Sequence, residues 1–168
     1  MGKFLKSILS AALVMALLSA CNSTGCIDNG SSLPLAGFYS SATKAKVTIA
    51  SLTVGGVGAA NDSLLINNSS ASQVYMPFRA STSSVKYFFH YNQEGIDDDA
   101  HNDTIRFDYE SIPYFASEEC GAMFRYRITN VEHTSKFIES VEIVEPLVTN
   151  IEEERIHIYF ITSESDDE

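Results

Sequence analysis

Positive charge is scarce in this sequence: 11 Lys and Arg stand against 22 Asp and Glu in 168 residues, and nowhere do the cations cluster. That argues against nucleic acid as a partner and against electrostatic adhesion to an anionic membrane surface. No apolar run reaches the ~20 residues that a spanning helix needs. No segment sustains the i, i+3, i+4, i+7 spacing of an amphipathic helix, so no helix is expected. Gly55-Gly56-Val57-Gly58 follows a strand pattern, but Asn61 stands where a dinucleotide-binding turn places its third small residue. An ordinary hairpin loop is the better reading. Gly-x-Ser-x-Gly is absent, and the four histidines show no metal-ligand spacing. Tryptophan is missing altogether, which leaves ten Phe and eight Tyr as the aromatic material.

What is present begins at the N-terminus. Lys3 and Lys6 precede an apolar stretch from Ile8 to Leu18, and small residues lead to Cys21. This is the layout of a secretory signal. Leu18-Ser19-Ala20-Cys21 resembles the lipobox of bacterial lipoproteins, which implies cleavage before Cys21 and lipid on its thiol and amine. An ordinary cleaved signal needs no cysteine at this position. Three acyl chains exceed the two hydrophobic signals that stable anchoring takes. Residues 1–20 thus read as signal peptide, 21–32 as a small, polar, lipidated tether, 33–162 as the folded domain and 163–168 as an acidic tail. Removing 20 residues from 168 leaves 148, enough for one domain with a core. Losing the two signal lysines leaves nine cations against 22 acids, a mature charge of −13. Asn22, where aspartate commonly marks inner-membrane retention, points to the outer membrane, and the lack of an acidic run after Cys21 points to a domain facing the periplasm. In that oxidising compartment the remaining thiols, Cys26 and Cys120, are expected to form a disulfide.

From Leu33 to Ile161 the pattern is short apolar alternation between turn residues. Strands are expected at Leu35–Ser40, Lys44–Val54, Ser63–Ile66, Val74–Phe78, Ser84–Tyr91, Thr104–Tyr109, Phe124–Ile128, Phe137–Val144 and Ile156–Phe160. In the second, Val47 and Ile49 share one parity and Leu52 and Val54 the other, which predicts a β-bulge near Ala50-Ser51. Ser84–Tyr91 and Thr104–Tyr109 are expected to pair as an antiparallel hairpin with aromatic cross-strand contacts. Ser111–Phe115 reads as a strand exit fixed by Pro113. The expected fold is an antiparallel β-sandwich of eight or nine short strands, with a small β-barrel as the alternative.

Several stretches taken together carry a further resemblance: Cys26…Asn29-Gly30…Ser32-Leu33-Pro34-Leu35…Gly37-Phe38-Tyr39, Tyr87-Phe88-Phe89-His90-Tyr91, Asp103-Thr104-Ile105-Arg106-Phe107, Ile112-Pro113, Cys120-Gly121-Ala122…Ile128-Thr129-Asn130 and Ile156-His157-Ile158-Tyr159-Phe160. They resemble an uncharacterised family of small Bacteroidetes lipoproteins built on a domain of unknown function. The resemblance spans most of residues 26–160 and implies a lipid-anchored β domain with a cysteine pair. It implies no activity.

Few constellations carry chemistry. Asp97, Asp99 and Asp103 alternate as calcium-loop oxygens do, but no glycine marks the sharp turn and no glutamate closes the loop. A solvated acidic hairpin tip is the plainer reading, with weak calcium binding as the alternative. Asp62-Ser63-Leu64 and Asp103-Thr104-Ile105 resemble the Asp-Ser/Thr-apolar acceptor of O-glycosylation in exported proteins of that bacterial group, making Ser63 and Thr104 candidate sites. Glu118-Glu119 and Glu152-Glu153-Glu154 are charged strand ends unless the fold brings carboxylates together. The outward alternation of His90 and His157 marks polar strand faces. No catalytic set and no cofactor are expected. The reading is a non-enzymatic, lipid-anchored binding or scaffold protein of the envelope, held to the bilayer through Cys21, with a protein or glycan partner. The alternative is a carboxylate-based hydrolase acting on cell-envelope material.

Overall fold

The computed structural model describes residues 32–59, 63–117 and 121–162. Ten strands follow one another: β1 (Leu35–Ser40), β2 (Ile49–Gly56), β3 (Leu64–Ala71), β4 (Gln73–Tyr75), β5 (Ser84–Tyr91), β6 (Asp103–Ser117), β7 (Gly121–His133), β8 (Ile138–Ile143), β9 (Leu147–Val148) and β10 (Glu154–Phe160). No α-helix occurs among the described residues. A four-stranded sheet of order β4-β1-β10-β8 packs on a six-stranded sheet of order β3-β2-β5-β6-β7-β9, one of the two being curled into a half-barrel.

Alternation dictates the core. From the smaller sheet, Ala36, Phe38, Val74, Ile138, Ile156, Ile158 and Phe160 point inward; Leu52, Val54, Tyr87, Phe89, Tyr91, Ile105 and Phe107 meet them from the larger. Phe38, Phe89 and Phe160 contact one another across the two layers, with centroids 5.2–6.5 Å apart. Edge-on packing of this kind adds about 0.5–1.5 kcal/mol per pair beyond the area buried. The bulge falls where the parity slips: Ser51 has φ +50°, and the β2–β3 register shifts between Ile49 and Leu52. Both parities of apolar side chain thereby reach the core. Gly55 sits under the Phe88 ring and Leu64, where a Cβ would lie 2.6 Å and 2.9 Å from their atoms.

Several expectations change, beginning with the strand count, ten in place of eight or nine, and the second strand, which starts at Ile49 and not at Lys44. The sandwich is not antiparallel throughout, because β1 and β10 run parallel in the middle of the smaller sheet. Pro113 ends nothing: β6 continues to Ser117, paired with β7 along its length. Beyond Tyr109, β6 is paired with β7 alone among the described residues, so an imide nitrogen is tolerated on a strand with one open side. Val74–Phe78 is strand only as far as Tyr75; Met76 and Phe78 are nonetheless buried.

Candidate functional site

The outer face of the four-stranded sheet gathers the side chains that alternation turns away from the core. On β10, Ile156, Ile158 and Phe160 are buried while His157 and Tyr159 face out; on β1, Tyr39 faces out between buried Phe38 and Ser40. The parallel register sets Gly37 beside His157 and Tyr39 beside Tyr159. Three rings therefore form one array, with centroid separations of 4.3 Å (Tyr39–His157), 5.8 Å (Tyr39–Tyr159) and 6.2 Å (His157–Tyr159). Lys44 Nζ lies 4.3 Å from the centre of the Tyr159 ring, a cation–π contact.

Two carboxylates flank the array. Glu154 Oε2 accepts a hydrogen bond from Tyr39 Oη at 2.6 Å, and Glu154 Oε1 pairs with Lys46. On the other side, Tyr159 Oη donates to Glu142 Oε2 at 2.8 Å. His157 stands between, its Nδ1 3.9 Å from Glu142 and its Nε2 3.8 Å from Glu154. Gly37 makes room for this crossing. A Cβ there would lie 2.5 Å from Glu154 Oε2 and 2.9 Å from the Tyr39 ring.

The electrostatics follow from the contacts. Bonded to the Glu154 carboxylate and partly desolvated, the Tyr39 phenol is pushed up to about 12. Tyr159 is raised as well, chiefly by its bond to Glu142. For Glu154, burial alone would push the carboxyl up, but bonds from Lys46 and Tyr39 and the charges of Lys46 and His157 outweigh it, holding the group below its usual range. At neutral pH the face thus presents ring surfaces beside an anionic acceptor whose position is fixed.

The residues singled out by sequence fall as follows. Cys21, Cys26, Cys120, Glu118 and Glu119 lie outside the described residues. Asp97, Asp99 and Asp103 do not converge, and no group of three metal-ligating side chains occurs among the described residues. Asp97 Oδ1 is hydrogen-bonded to His90 Nε2 at 2.8 Å, and Asp99 accepts from Asn102. Asp103 is fully buried and structural. Its Oδ1 accepts from Thr134 Oγ1 and Lys136 N, both at 2.8 Å. Its Oδ2 accepts from Phe137 N, Ile138 N and Tyr91 Oη at 2.7–3.0 Å. Ser63 is exposed at the start of β3, whereas Thr104 is half-buried within β6 opposite Phe88. Of the acidic triplet, Glu152 accepts from Tyr75 Oη, Glu153 pairs with Arg155 at 3.0 Å, and Glu154 enters the aromatic face. Sequence reading missed that face, since Tyr39 and Tyr159 are 120 residues apart; their outward parity was the available signal.

Compared with known proteins, residues 51–160 match a model described as a family of unknown function (DUF6452), which runs from within β2 to the end of β10 and leaves out β1. No curated protein and no solved structure matches the chain.

Proposed function

The chain belongs to the DUF6452 family of unknown function, and on that premise we propose that it is a binding module of the cell envelope that recognises a glycan through the outer face of its four-stranded sheet. The observation that carries this reading is the Tyr39–His157–Tyr159 array with Glu142 and Glu154 at its flanks. The C–H face of a sugar ring carries partial positive charge and packs on the negative face of an aromatic ring. Its hydroxyls donate to fixed carboxylates in charge-assisted hydrogen bonds. Side chains already locked to one another lose little rotamer freedom on binding. Anchorage through Cys21 would keep such a module on the membrane, within reach of envelope polysaccharide.

The alternative, a hydrolase, gains less from this geometry. Glycoside cleavage by paired carboxylates needs one acid that stays protonated near neutral pH. Glu154 is held in the opposite direction, and Glu142 is an exposed acceptor of the Tyr159 hydroxyl. Binding to an array of envelope glycans tests the proposal. The purified chain is expected to retain at least one glycan, and Tyr39→Ala with Tyr159→Ala to abolish retention without disturbing the circular dichroism spectrum. Retention unchanged in that variant, or no glycan retained, overturns it.

A further inference from the structure

The larger sheet carries a second and different concavity. The end of β2, the start of β3, the loop between β4 and β5, Ser84–Tyr87 of β5 and Arg106 of β6 enclose a cavity of about 510 Å³. That is within the usual ~300–1,000 Å³ of small-molecule sites. Its polar lining is basic, with Arg79, Lys86 and Arg106, and no carboxylate lines it among the described residues. In a chain with twice as many acids as cations, three cations in one hollow are out of keeping with the rest.

The arrangement of the three is unfavourable without a partner. Lys86 stands directly opposite Arg106 in the β5–β6 register, on the outward side of the sheet. Like charges facing each other across strands destabilise the pair. Arg106 is partly compensated by Asp108, which accepts from Nε at 3.1 Å and Nη2 at 2.8 Å. The ion pairs among the described residues give Arg79 and Lys86 no carboxylate. On its other side Arg106 faces Glu132 of β7 in the β6–β7 register, so the two cations left without a carboxylate partner among the described residues are Arg79 and Lys86.

The wall that presents Arg79 is also fixed. Tyr109 Oη accepts from Arg79 N and donates to Arg79 O, each at 3.0 Å, and bonds Thr82 Oγ1 at 2.9 Å. Tyr87 Oη donates to Pro77 O at 2.5 Å. Two buried tyrosines thus hold residues 77–82 from the core side, so the loop is set before any ligand arrives. Apolar surface from Val57, Leu65 and Val85 completes the lining.

We propose that this cavity is a binding site for a small phosphomonoester whose apolar body rests on Val57, Leu65 and Val85 while its phosphate is held by Arg79, Lys86 and Arg106. A dianion suits Arg79 and Lys86, the two cations without a carboxylate partner among the described residues, and guanidinium forks suit phosphate oxygens better than point charges do. The site lies on the other sheet from the aromatic face and does not depend on the glycan reading. Phenyl phosphate is the probe, added to the isotope-labelled chain while amide shifts are followed by NMR. Val57, Ser84–Tyr87 and Arg106 are expected to shift saturably below ~10 mM, with affinity falling as salt is raised. Phenol is expected to leave these amides unmoved, and inorganic phosphate to bind more weakly than phenyl phosphate. Arg79→Gln with Lys86→Gln, both exposed and outside the core, should keep the native spectrum and weaken binding by about tenfold or more. Absence of saturable shifts, equal shifts with phenol, or unchanged affinity in the double variant overturns the proposal.

Discussion

At the scale of single residues, Asp103 shows how far a residue's role depends on its surroundings. A carboxylate in the run Asp97–Asp103 reads as part of a solvated tip, yet five donors enclose it and leave it no exposed surface. It joins β6 to the 134–138 segment that carries the chain from the larger sheet to the smaller. Asp103→Asn keeps the shape but turns one acceptor into a donor facing donors, so it is expected to cost about 1–3 kcal/mol. Asp103→Ala is expected to cost more, about 3–5 kcal/mol, because every donor is then left buried without a partner. Urea unfolding of both variants measures this; a loss under about half a kilocalorie in both, the size of an ordinary surface change, would refute the structural role. Tyr39 gives a prediction about pH. Its folded value, about 12, lies above the ordinary 10, so its contribution to stability is present below pH 10 and lost as pH rises from 10 to 12. Gly37→Ala forces the Glu154 carboxylate and Tyr39 ring apart. In that variant one phenol should ionise nearer pH 10, read by ultraviolet titration, with the fold intact.

Among the elements, the β6–β7 hairpin does most to organise the molecule. Its inner half builds the larger sheet; beyond Tyr109 it extends as a two-stranded arm, with β9 pairing at Tyr126 and Arg127. Tyr114 stacks on Arg125 in that arm at 4.1 Å, while Phe115 is 68% exposed. The first described residue joins the arm directly: Ser32 Oγ donates to Phe124 O at 2.8 Å. Cys26 precedes Ser32 by six residues, a reach of up to about 20 Å, and Cys120 precedes Phe124 by four. This placement supports the proposed Cys26–Cys120 disulfide, which would strap the tether to the arm. Closing a loop of this size is worth up to roughly 4–5 kcal/mol in the chain-entropy model, often less in practice. Mass spectrometry of the alkylated, unreduced mature chain is expected to find neither thiol modified, and two modified thiols would exclude the bridge.

For the whole molecule, the acidic surface and the proposed anchor belong together. With a net charge of −11 before processing, the chain has no general electrostatic attraction to an anionic bilayer, and no helix among the described residues is long and apolar enough to cross one. In the proposed reading, membrane attachment would rest on lipid at Cys21. Cys21→Ala is expected to move the protein wholly into the soluble fraction, and continued sedimentation with membranes would count against the anchor. The fold should survive that change, because the core formed by the described residues lies within residues 35–160.

The sequence alone determined what is local. Period-2 alternation requires only neighbours along one strand, so the all-β class, the inward faces of β5 and β10, and the bulge at Ser51 were legible from the order of residues. Tertiary structure decided everything that depends on which strands lie side by side. The parallel pairing of β1 with β10 brings Tyr39 to Glu154 across 115 residues. The β5–β6 register sets Lys86 against Arg106, and the fold returns the Phe137 and Ile138 amides to Asp103. Alternation tells a residue which way to face but not what it will meet, because strand order is fixed by burial summed over both sheets. Asp103 and Pro113 were misread for that reason: the one met five donors, and the other found a strand with an open side.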